Sequence, residues 1–81
     1  PAYPNPFNPV TTLHFALPEK VEVSIVIYNL QGRQIEALRD GYMEAGYHQV
    51  VWNADRYPSG MYFTRMIAGD YVKTQKLMLV K

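Results

Sequence analysis

Eighty-one residues make one small domain, which excludes an enzyme assembled from separate cofactor and substrate lobes. With 48% hydrophobic and 19% charged residues the chain packs rather than staying disordered, and its zero cysteines leave no disulfide or thiolate–zinc bracing. A formal net charge of +1 without a clustered basic run argues against nucleic acid, and no apolar run is longer than the four residues Leu77–Val80, against about 20 for a membrane helix, so no membrane insertion is expected.

Residues 1–10 hold Pro1, Pro4, Pro6 and Pro9, which remove backbone donors and impose extended or turn geometry. They predict a rigid, irregular lead-in at the boundary with an upstream region, and residues 11–81 form the domain proper. The opening has no charged start, apolar core and small-residue cleavage site, so no signal peptide is expected here and an upstream passenger is expected to carry one. Leu13, Phe15 and Leu17 then alternate with polar or small residues, and Val21, Val23, Ile25 and Ile27 repeat the pattern, predicting two strands separated by Pro18–Lys20.

Asn29-Leu30-Gln31-Gly32 has the composition of a type I turn continued by a left-handed glycine. A third strand is predicted over Arg33–Leu38, followed by turn signals at Arg39-Asp40-Gly41 and Ala45-Gly46. Tyr47–Asn53 alternates again, and Trp52 assigns the inward face to His48, Val50 and Trp52, because a lone Trp gains more from burial than Gln49. Tyr57-Pro58-Ser59-Gly60 breaks the pattern before a strand Met61–Ile67 whose Tyr62, Thr64 and Met66 share a face. After Ala68-Gly69-Asp70 the last strand runs Tyr71–Val80, with Tyr62 opposite Leu77 if the turn has two residues; one residue more would invert the register. Turn signals every 8 to 12 residues without helical periodicity predict an all-β sandwich of six or seven short antiparallel strands. Trp52, Tyr62, Phe15, Val23, Ile25 and Ile27 are expected in one core.

Catalytic chemistry finds little support. Ser24 and Ser59, His14 and His48 sit in different predicted elements, with no nucleophile-elbow signature. His48 is expected as a half-buried histidine bonded to a backbone carbonyl. Asn53 and Asp55, with Asp40, offer too few oxygens for calcium, and side-chain capping of turn amides accounts for Asn53 and Asp55. No metal or cofactor is expected. The isolated Gly32, Gly41, Gly46, Gly60 and Gly69 form no phosphate loop. Tyr62, just after Gly60 at a strand start, occupies the place where Greek-key sandwiches use a tyrosine hydroxyl to tie a corner. Tyr28, Tyr42, Tyr47 and Tyr71 share no predicted face, which weakens a sugar-binding platform.

The landmarks Tyr3-Pro4-Asn5-Pro6-Phe7-Asn8-Pro9, Thr11–Pro18, Val26–Arg33, Ala45-Gly46 ahead of Trp52, Ser59–Phe63 and Lys76–Lys81 occur in an order that resembles the C-terminal sorting domain of type IX secretion cargo. The resemblance covers nearly the whole chain and extends to the Ig-like module of flagellar hook-capping proteins. It implies an Ig-like Greek-key β-sandwich and a non-enzymatic address that carries an upstream passenger through the periplasm and across the outer membrane, to the cell surface or the medium. The partners it implies are the outer-membrane translocon, a sortase-like peptidase and the covalently linked passenger. By the same resemblance Lys76, Leu77, Met78, Leu79, Val80 and Lys81 form the recognition segment, and Pro4, Asn5, Pro6, Gly32, Trp52, Gly60 and Tyr62 are structural landmarks. The alternative is an Ig-like spacer, hook-cap-like or carbohydrate-binding. On physical grounds an apolar terminal strand flanked by lysines suits a closing strand protected from aggregation more than it suits addition to a sheet edge or capture of its carboxylate, and the resemblance reverses that order.

Overall fold

The computed structural model describes residues 2–81; Pro1, the first proline of the lead-in, lies outside them. The described residues form seven strands: β1 Ala2–Tyr3, β2 Val10–Leu17, β3 Val21–Tyr28, β4 Gln34–Met43, β5 Gly46–Asn53, β6 Gly60–Ala68 and β7 Tyr71–Leu79. They make a three-stranded sheet in the order β1-β2-β5 and a four-stranded sheet in the order β4-β3-β6-β7. All strand pairs are antiparallel. Pro18–Lys20 carries the chain from the first sheet to the second, Glu44–Ala45 carries it back, and residues 54–59 return it. β3 and β6 therefore lie side by side although two strands separate them in sequence, a Greek-key connection.

Period-two alternation builds the core. Leu13 and Leu17 of β2, Val23, Ile25 and Ile27 of β3, Val50 and Trp52 of β5, Tyr62 and Ala68 of β6, and Leu77 and Leu79 of β7 are buried between the sheets. Each large aliphatic side chain so buried contributes roughly 1.5–3 kcal/mol. Phe15 stays half-buried and packs against this cluster.

Two turns set the registers. The Gly32 amide donates to the Asn29 carbonyl at 3.0 Å, Asn29 Oδ1 accepts the Gln31 and Arg33 amides, and Gly32 takes a φ of 83°, which a side chain would disfavour. Ala68 pairs with Tyr71 across Gly69-Asp70, a two-residue turn, and Tyr62 consequently faces Leu77.

Two expectations change. β4 does not stop at Leu38, and Arg39-Asp40-Gly41 is not a turn: Arg39, Asp40 and Gly41 pair with Ile25, Ser24 and Val23. A register shift between Ile25 and Val26 leaves Leu38 as the extra residue of a bulge. The unspent ladder of β3 outweighs the local turn preference, and bulges are a common device on edge strands such as β4. The lead-in is irregular over residues 4–9 but begins as a strand on β2, with Ala2 opposite Leu13 and Tyr3 opposite Thr12.

Trp52 is fully buried, with ring centroids 5.4 Å from Tyr62, 5.5 Å from Phe7 and 5.8 Å from Tyr57. Its Nε1 donates to Glu36 Oε1 at 3.2 Å, and the Tyr57 hydroxyl donates to the same oxygen at 2.9 Å. Trp52→Ala is expected to cost about 3–5 kcal/mol in chemical denaturation. A loss below about 1 kcal/mol would contradict this packing.

Candidate functional site

The terminal segment divides by face. Leu77 and Leu79 point inward and are buried, Met78 is half-buried on the outer face, and Lys76, Val80 and Lys81 are exposed. Only part of Lys76–Lys81 can therefore meet a partner while the domain stays folded. Lys81 is itself tethered: its amide donates to Ser59 Oγ at 3.0 Å and its Nζ donates to the Asp55 carbonyl.

The outer edge of β7 is occupied as well. Asn5 behaves as a side-chain imitation of a peptide group, its Nδ2 donating to the Lys76 carbonyl at 2.8 Å while its Oδ1 accepts the Met78 amide at 3.0 Å. Main chain then takes over, with the Phe7 amide donating to the Met78 carbonyl at 2.9 Å and the Val80 amide donating to the Phe7 carbonyl at 3.0 Å. Phe7 thus makes a parallel bridge to Leu79, and its ring is buried against Trp52. The edge that a partner strand would need between Lys76 and Val80 is filled by the protein's own opening residues. Sequence reasoning missed this strap. Its trace was present in Phe7, a large apolar residue inside a stretch otherwise of proline and asparagine.

The other landmarks support the same end of the sandwich. The Pro4 carbonyl accepts the buried Thr11 hydroxyl at 2.7 Å, and the Pro9 carbonyl accepts the Ala54 amide at 2.9 Å, which fixes both ends of the strap. Pro6 is exposed between Asn5 and Phe7. Gly32 lies apart, in the β3–β4 turn. Gly60 opens β6 opposite Leu79 at a φ of 152°. The Tyr62 hydroxyl donates to the Pro58 carbonyl at 2.6 Å and ties the turn before β6. Burial pushes the Tyr62 phenol above its ordinary pKa, and Tyr57 adds to the shift. Arg56 lies over the Tyr57 ring and 3.8 Å from Glu36, and its hydrogen bond to Tyr57 chiefly raises its own pKa.

On the outward face of the larger sheet Met78 pairs with Met61, and Lys76 pairs with Phe63, which in turn faces Tyr28. Met61, Phe63, Met78 and Tyr28 are all half-buried there, so the terminal strand contributes one side of a mixed apolar and basic surface. Residues considered for other chemistry are dispersed. His14 is exposed on β2, Ser24 is half-buried on β3 and Ser59 lies in the loop before β6. A His48 ring nitrogen lies 2.6 Å from the Glu44 carbonyl oxygen. Asn53 Oδ1 accepts the Asp55 amide at 3.0 Å, a turn-capping role. Tyr28, Tyr42, Tyr47 and Tyr71 stand on four different strands.

Asn5→Ala is expected to cost roughly 1–2 kcal/mol and to speed amide exchange at Met78 more than at Ile25 of the central β3; equal rates would show that the clip is not formed in solution. Tyr62→Phe removes the bond to Pro58 and is expected to cost about 1 kcal/mol. Because burial makes the folded state hold the Tyr62 proton more tightly than the unfolded chain does, the stability linked to that proton is complete below the ordinary tyrosine range. It is lost as pH climbs through the raised folded value, so Tyr62→Phe should flatten the alkaline decline in denaturation midpoint.

No curated protein and no solved structure matches the chain. The family model described as secretion system C-terminal sorting domain matches residues 1–81, the entire chain, and the protein belongs to that type IX secretion family.

Proposed function

We propose that this C-terminal sorting signal is read as a folded surface, with Lys76, Met78, Val80 and Lys81 presented to the outer-membrane translocon while Leu77 and Leu79 hold the strand in the core. The observation that carries the sorting function is the family match over residues 1–81, which favours an address over a hook-cap-like or sugar-binding spacer. The burial of Leu77 and Leu79, against the exposure of Lys76, Val80 and Lys81, supports reading by the outer face. In this reading the domain performs no chemistry of its own. It accompanies an upstream passenger through the periplasm and across the outer membrane, after which a sortase-like peptidase removes it and leaves the passenger at the surface or in the medium.

The strap bears on how recognition proceeds. With residues 5–7 already on the β7 edge, a partner strand would have to displace several hydrogen bonds before pairing there, whereas side chains on the outer face and the chain end are approachable at once. Lysines at such a surface add attraction to anionic groups and discourage non-specific strand addition.

Fusing the domain behind a reporter with a signal peptide should send the reporter out of a host with a type IX system and leave it periplasmic in a translocon mutant. The double variant Lys76→Glu/Val80→Asp should reduce export at least about tenfold while shifting the denaturation midpoint little, since exposed substitutions usually change stability by about 0.5 kcal/mol or less. Leu77→Ala, by contrast, should destabilise by about 2–5 kcal/mol. Full export of the surface double variant would rule out reading by this face, and continued export after a few polar residues are appended to Lys81 would rule out carboxylate capture.

A further inference from the structure

β2 is flanked unevenly. β5 pairs with all of it from Val10 to Leu17, but β1 faces only Thr12 and Leu13, so among the described residues nothing pairs with His14–Leu17 on that side. A cleft of about 720 Å³ opens beside this stretch, between the two sheets. Leu13, Phe15, Leu17, Ile25 and Met66 line it, together with Thr64, which is buried yet whose Oγ1 has no hydrogen-bond partner among the described residues. The far wall is the first half of β7, Tyr71 to Gln75, beyond the reach of the Asn5–Phe7 strap.

The direction of β1 identifies what fits there. β1 is antiparallel to β2, so stepping back from Tyr3 to Ala2 moves the partner forward from Thr12 to Leu13. The same step continued upstream passes along His14, Phe15, Ala16 and Leu17. Alternate side chains of a strand on that course face the core, as Ala2 does already. An incoming segment would meet the unpaired backbone of β2 and an apolar cleft together, the two elements of strand addition. Continuity with an existing pairing favours a segment of the same polypeptide over a separate partner, because β1 has already brought it to the edge and the loop to be closed is negligible.

We propose that the polypeptide immediately upstream of this chain extends β1 along Phe15–Leu17, completes the edge of the smaller sheet and closes the cleft with its alternate side chains. The proposal rests on the sorting reading in one respect only, that a passenger is joined upstream. It makes the passenger junction part of the sandwich, and a junction held as a strand is shielded from proteolysis until it peels away.

Amide exchange by NMR tests it on three proteins: the 81-residue chain, the chain with its own eight natural preceding residues, and the chain with eight Gly/Ser residues in their place. The natural extension is expected to slow at least some Phe15–Leu17 amides roughly tenfold relative to both other proteins, while Val23 and Ile25 change less than about twofold. Equal rates in all three overturn the proposal. So does protection of Phe15–Leu17 in the unextended chain that grows with protein concentration, which would assign the edge to a second copy. Export is not part of the readout: protection by the natural extension in a domain that fails to export its reporter would count against the sorting reading and leave this one standing.

Discussion

The strap from Asn5 to Phe7 is the interaction on which the terminal strand depends. The seven strands of the described residues, in two sheets, leave edges, and an edge strand at the end of a polypeptide is the element most prone to fray or to pair with another molecule. Here Asn5 supplies a carboxamide in place of a peptide group, and Phe7 continues the ladder with its own main chain. These contacts join residues more than seventy positions apart, so the opening of the chain stabilises its end. The Phe7 ring adds a desolvated anchor, since it enters the same aromatic cluster as Trp52, Tyr57 and Tyr62.

That cluster concentrates the polar satisfaction of the core at one end. Trp52 and Tyr57 carry polar atoms that would be costly to bury alone, and Glu36 receives both while keeping a screened ionic contact to Arg56. Tyr62 solves the same problem through the backbone, donating to Pro58. The opposite side of the sandwich contrasts with this, because Thr64 is buried with no hydrogen-bond partner among the described residues, beside an open apolar cleft. Stability is therefore distributed unevenly, dense around the chain end and sparse where β1 stops.

For a sorting domain this distribution has a functional logic. A sorting signal must persist without pairing promiscuously, and yet present a constant surface. Burying Leu77 and Leu79, clamping the edge with residues 5–7 and leaving Lys76, Val80 and Lys81 outward meets both requirements within 81 residues and without cysteine. The family match covers residues 1–81, the entire chain.

Local physics written in the sequence determined the strands and most of their inward faces. Period-two alternation marked Leu13, Val23, Ile25, Ile27, Val50 and Trp52, and turn chemistry marked Asn29–Gly32 and Gly69-Asp70, because strand faces and tight turns depend on neighbours a few residues away. The order of the landmarks also pointed to the sorting family. Tertiary structure alone decided what depends on distant partners. The last register needed the turn at Gly69-Asp70 to close with two residues. β4 ran on through Arg39-Asp40-Gly41 because β3 offered it a ladder that no local signal reveals. The division of Lys76–Lys81 into core and surface followed from packing against the other sheet, and the strap was hidden because Asn5 and Phe7 find their partners only after the chain has gone round the whole sandwich. Proline-rich sequence announces the absence of regular structure, but it carries no information about which distant backbone groups an irregular segment will meet.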